Sequence, residues 1–158
     1  MKTGDMLQWK SNSLIGSLIR WRTARNLPDG WPAVNHTGMV IQLREYGRIF
    51  TQESLEHGVV LNFLSRRLEQ FDGEAWWYPL KDEMEGRRND IGKKALDSVG
   101  IPYDYGSIVK QIIGKVSVDA RDLFCSEDYL YCFGYQGKAL SPAEMPELGI
   151  FKEPAKIL

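Results

Sequence analysis

The spacing of apolar residues divides the chain into an early strand-rich part and a later helix-rich part. "GDMLQW" reads as a turn leading into a short strand. In "SLIGSLIRWRTA", Leu14, Ile15, Leu18, Ile19 and Trp21 recur at helical spacing, with Ser13 as the N-cap. "NLPDGWPAVN" is dense in turn formers and is a loop. "HTGMVIQL" carries Met39, Val40, Ile41 and Leu43 as a nearly continuous apolar run, the pattern of a buried strand. "REYG" makes a turn, and "RIFTQES" and "GVVLNFL" follow as further strands of an antiparallel meander. "AWWYPL" predicts an edge strand that stops at Pro79.

Helical periodicity then takes over. "KDEMEGRRNDIGKKALDSVG" predicts a helix with Ile91, Ala95, Leu96 and Val99 on its buried face and Gly100 as its stop. "IPYDYGSIVKQIIGK" turns and then presents Ile108, Ile112 and Ile113 on one side. "DARDLFCSEDYLYCFGYQG" predicts another helix, capped by Asp119 or Asp122 and ended by Gly134 or Gly137. "LSPAEMPELGIFKEPAKIL" is a proline-punctuated tail expected to lie as a loop over the body. This order predicts a single α+β domain over residues 1–158, with a small, mainly antiparallel sheet packed against helices.

Composition narrows the class. At 158 residues and 43% hydrophobic, the chain is long enough for one real core. A net charge of -1 argues against a general nucleic-acid surface, although Arg20, Arg22 and Arg25 cluster, as do Arg87 and Arg88. "MKTGDMLQWK" has no apolar signal region, and no window approaches a membrane span. The expectation is a cytoplasmic protein with no integral membrane association. Cys125 and Cys132 are too far apart on one helix to bridge, about 10 Å along its axis. No metal spacing accompanies them, so neither a metal nor a cofactor is expected.

Cys125 is the residue that could do chemistry. It follows an apolar pair at what looks like a helix start, where the dipole favours a thiolate. A buried structural thiol fits the same place, and Cys132 fits that description better still. A nucleophile needs a base. His36 opens a strand, whereas His57 lies in the polar turn "SLEHGVV". A base in turn needs an acceptor for its second ring nitrogen. Glu53 and the neighbouring Gln52 lie on the next strand, and strand alternation lets only one of them face the histidine. If Cys125 stood in the first helical turn, its backbone N–H could serve an oxyanion, with Tyr103 or Tyr105 as a further donor. Trp31, Trp76, Trp77 and Tyr78 would either line a groove for peptide or sugar or pack into the core.

The ordered set "GDMLQW", "NHTGMVI", "TQESLEHGVV", "GIPYDYGSI" and "FCSEDYLYC" resembles the circularly permuted branch of the NlpC-type papain-like cysteine peptidases. In that branch the histidine-bearing sheet precedes the cysteine helix. The resemblance runs from Gly4 to about Pro142. It implies a papain-like fold, Cys125 as nucleophile, His36 of the His-x-Gly pattern as base, Glu53 as third residue and Tyr103 of "PYD" at the site. It also implies a peptidase or amidase acting on an amide, with a peptide or peptidoglycan fragment as substrate. Related members resembling the lecithin–retinol acyltransferase group act on acyl substrates, so a thiol acyltransferase or lipid hydrolase is the alternative. "TQES" lacks the Glu-Ala that often marks the third residue, and the segment before "GIPYDY" is short. A module that keeps the fold and binds peptide or glycan without chemistry is the competing class.

Overall fold

The computed structural model describes residues 1–12, 32–55, 57–101, 120–137 and 140–158, with residues 120–124 as backbone. The described strands are β1 (Met6–Ser11), β2 (His36–Leu43), β3 (Arg48–Leu55), β4 (Gly58–Phe63), β5 (Gly73–Tyr78) and β6 (Ala155–Lys156). They form one antiparallel sheet in the order β4-β3-β2-β1-β5-β6. The described helices are α1 (Leu64–Gln70), α2 (Arg88–Ser98) and α3 (Ala120–Phe133), with 3-10 turns at Arg44–Tyr46, Asp82–Arg87 and Pro142–Leu148. The protein is therefore of the α+β class. Among the described residues, no helix is long and apolar enough to cross a membrane.

Both faces of the sheet are covered, which is why β2 reads as a continuous apolar run rather than an alternation. On one face Met6, Met39 and Ile41 pack with Tyr78 and Leu80 against Ile91 and Ala95 of α2 and Tyr129, Leu130 and Phe133 of α3. On the other, Leu7, Trp9, Val40 and Ala75 pack against Leu64 and Leu68 of α1 and against Phe71. Polar ties fix the helices to the sheet. Buried Asp5 accepts from Arg88 Nη1 at 2.8 Å, Trp77 Nε1 at 2.9 Å and the Leu80 amide at 3.1 Å. Tyr129 Oη donates to the Gly4 carbonyl at 2.6 Å, tying α3 to the turn before β1.

Several expectations are corrected. β5 is not an edge strand. It lies between β1 and β6, because Trp76 and Trp77 pair with Lys156 and Ala155. The tail is not a loop over the surface. It contributes that edge strand, a 3-10 turn closed by a Ser141–Glu144 capping box, and the buried Met145 and Phe151. The charged segment before Gly100 splits into a 3-10 turn and α2. The buried stripe of α2 is Arg88, Ile91, Gly92, Ala95 and Ser98, while Leu96 and Val99 are exposed. Arg88 occupies an apolar position because Asp5 neutralises it there. The expected helix from Ser13 and the stretch carrying Ile108, Ile112 and Ile113 lie outside the described residues.

Candidate active site

His36, Glu53 and Cys125 come together from β2, β3 and α3. The register puts Met39 opposite Gln52, so alternation places Glu53 on the face of β2 that carries His36 and Gly38. Glu53 reaches His36 across Gly38. A Cβ at position 38 would lie 2.9 Å from Glu53 Cγ and 2.9 Å from Thr51 Oγ1, so the glycine leaves the channel through which the carboxylate passes. His36 Nε2 then donates to Glu53 Oε2 at 2.8 Å. The same ring is hydrogen-bonded to the Cys125 side chain.

The choice between Gln52 and Glu53 is thereby resolved in geometry. Gln52 points to the opposite face, where its Nε2 donates to Ser98 Oγ at 3.1 Å and to Asp128. His57 lies exposed in the turn between β3 and β4. Cys132, two helical turns beyond Cys125, is buried, and burial pushes its thiol well up. Tyr78 is buried, and Trp76 and Trp77 pack against the two cores, so these aromatics belong to the fold rather than to an open groove. Tyr103, Tyr105 and Trp31 lie outside the described residues.

Charge, more than exposure, distinguishes this cluster. Burial opposes protonation of the imidazole, but the charge and hydrogen bond of Cys125, followed by those of Glu53, outweigh it and raise His36 to about 10. Burial likewise opposes ionisation of Glu53, and His36 and then Arg67 hold it below the usual carboxylate value. The described groups follow one another as the Arg67 guanidinium, the Glu53 carboxylate, the His36 imidazolium and the Cys125 sulfur.

Arg67 of α1 was not among the sequence candidates. Its guanidinium grips both Glu53 oxygens, with Nε 3.0 Å from Oε1 and Nη2 3.1 Å from Oε2. The "SRRLE" stretch shows two arginines on a short polar helix, a pattern that by itself marks a solvated face.

Two expectations about the cysteine change. Cys125 is the sixth residue of Ala120–Phe133, beyond the first turn, so its N–H is already used within the helix and the helix dipole adds little. Asp122 lies inside this helix and does not cap it, while Asp119 is outside the described residues. Gly134, with φ of 66°, ends it in a Schellman arrangement in which Tyr135 N donates to the Leu130 carbonyl. The sulfur is also more buried than an open crevice would allow, since Cys125 is 4% exposed. The His36 side chain, at 16%, is the more open part of the site. Among the described residues, no group of three His, Cys, Asp or Glu side chains is placed to hold a metal ion.

No family model matches the chain, and no curated protein matches it.

Proposed function

We propose that the protein is a cysteine hydrolase with a permuted papain-like arrangement, in which the histidine strand precedes the cysteine helix. The observation that carries this reading is the continuous hydrogen-bonded row from buried Glu53 through His36 to Cys125. A structural thiol has no need of a charged imidazole, and a solvated histidine has no need of a carboxylate with 0% side-chain exposure.

In this mechanism the Cys125 thiolate attacks the carbonyl carbon of an amide and forms a C–S bond. The His36 imidazolium gives its proton to the departing nitrogen as the C–N bond breaks. A thioester remains on Cys125, and His36 is neutral. Water then gives a proton to His36 and its oxygen attacks the thioester. The C–S bond breaks, releasing a carboxylic acid and restoring thiolate and imidazolium. Glu53 holds the ring's orientation and stabilises its charge throughout. Family resemblance favours a peptide amide such as a peptidoglycan fragment. The same steps on an ester would make a lipid hydrolase, and an alcohol or amine in place of water would make an acyltransferase.

The test is covalent trapping. Amide-derived and lipid-ester acyl probes are offered to the full chain, and the adduct is located by mass on the peptide carrying Cys125. An adduct on Cys125, lost in Cys125→Ala and strongly reduced in His36→Ala, is expected. A folded protein whose Cys125 reacts no faster than a free thiol at neutral pH would overturn the reading and leave the binding module.

A further inference from the structure

We propose that Arg67 is a positioning residue that fixes the orientation and charge of Glu53 and, through it, the pH range over which Cys125 is nucleophilic. This inference rests on the cysteine-hydrolase reading above and adds to it a residue from an element outside the Cys-His-Glu set.

The first support is the shape of the contact. Arg67 Nε lies 3.0 Å from Glu53 Oε1 and 3.2 Å from Oε2, and Nη2 lies 3.1 Å from Oε2. A planar guanidinium spanning both carboxylate oxygens fixes the carboxylate plane, which a single donor does not. That plane leaves Oε2 facing His36 Nε2 at 2.8 Å. Of the described residues, Arg67 alone donates to Oε1. Among the described residues, His36 alone would leave Oε1 of a fully buried carboxylate without a donor.

The second support is that the guanidinium is itself held in place. Its central carbon lies 5.0 Å from the Trp9 ring centroid and 4.9 Å from that of Phe71. Those two rings meet edge-on with centroids 5.0 Å apart. A side chain placed for a surface ion pair would swing freely, whereas this one is packed by aromatic faces on two sides. Trp9 belongs to β1 and Phe71 follows α1, so the sheet and the helix jointly set where the cation stands.

The third support is charge balance. Among the described residues, the ionisable groups that face Glu53 are His36 from β2 and Arg67 from α1, with Cys125 from α3 behind the imidazole. With Arg67 in place, the buried carboxylate has two described cations beside it. Without Arg67, His36 is the one described cation left to favour its charged form. Glu53 then takes up a proton at higher pH, the imidazolium loses its partner there, and the thiolate is disfavoured.

The test measures iodoacetamide labelling of Cys125 against pH, read by mass at the Cys125 peptide, in the wild-type chain, Arg67→Gln and Arg67→Lys. The wild type is expected to stay reactive well below the pH at which a free thiol fades. Arg67→Gln is expected to move the acid limb upward by about one pH unit, roughly a tenfold loss of rate near pH 6. Arg67→Lys keeps the charge but not the fork and is expected to shift by less, which a purely structural role would not produce. A folded Arg67→Gln with the wild-type profile overturns the inference. If Arg67→Gln does not fold, a wild-type profile in Arg67→Lys overturns the role of the fork. A wild-type protein with a free-thiol profile fails the hydrolase reading itself, a different result from an Arg67 variant that merely matches an activated wild type.

Discussion

Gly38→Ala is a one-carbon change that separates packing from chemistry at the site. The added Cβ would lie 2.9 Å from Glu53 Cγ, 2.9 Å from Thr51 Oγ1 and 3.2 Å from the Gln52 carbonyl oxygen. Carbon atoms in contact prefer about 3.5–4.0 Å, so something must move by more than half an ångström. β2 cannot retreat, because it is hydrogen-bonded to β1 on one side and β3 on the other. Overpacking of this kind costs about 1–3 kcal/mol, or roughly 2–12 °C in Tm for a chain of this size. The movable neighbour is the Glu53 side chain, and displacing its Cγ swings the carboxylate away from His36. Labelling of Cys125 by iodoacetamide near pH 6 is therefore expected to fall about tenfold, the effect of one unit in the pKa of the pair. Thr51 Oγ1 is buried with no hydrogen-bond partner among the described residues, so Thr51→Ala in the same background removes one of the two clashes. It should return part of the stability and little of the reactivity, because the Glu53 clash persists. Thermal melts and pH-resolved labelling of the two variants decide the matter. A Gly38→Ala protein that melts lower yet labels at the full rate refutes the channel argument.

Two further predictions concern protonation. The His36 ring should remain charged far above the ordinary histidine value of 6.5, losing its proton near about 10. Its contribution to stability is accordingly complete below 6.5 and lost as pH rises through about 10, and capping the Cys125 sulfur should bring the ring's pKa down. Imidazole nitrogen shifts in the intact and the alkylated protein measure both, and a ring that deprotonates near 6.5 in the intact protein contradicts the ion pair. Burial raises Asp128 from 3.8 to about 6, against the opposing hydrogen bonds with Gln52 and Ser98. Folding thus favours its protonated form, and stability falls as pH rises between those values. Asp128→Asn should be more stable than wild type by about 1–3 kcal/mol near pH 8 and gain nothing near pH 3. Urea unfolding at the two pH values tests this, and an equal effect at both would rule out titration of Asp128 as the cause.

Local patterning located the strands well, most directly in β2, where the apolar run Met39, Val40 and Ile41 is buried; β3 buries Thr51, Gln52 and Glu53 instead. "HTGMVIQL" corresponds residue for residue to β2. The failures were those in which a distant partner decides. Nothing local to "AWWYPL" shows that Ala155 and Lys156 will pair beside it and move it off the edge. Arg88 lies on the buried stripe of α2 because Asp5, far away in sequence, pairs with it. His36, Glu53 and Cys125 were recognisable as residue types in a suitable order, yet Gln52 and Glu53 could be separated only by the register of β2 and β3. Arg67 was invisible for a related reason. A carboxylate with one obvious partner gives no hint that a second cation will hold its other oxygen.

The row from Arg67 to Cys125 is drawn from four separate stretches of polypeptide, and none of its members neighbours another in sequence. Under the proposed function, Cys125 in the unfolded chain has no imidazole beside it and reacts as any free cysteine does. The proposed nucleophile is assembled only when the sheet closes and α1 and α3 dock upon it. If that proposal holds, labelling of that single sulfur reports directly on the fraction of molecules that have reached the native state.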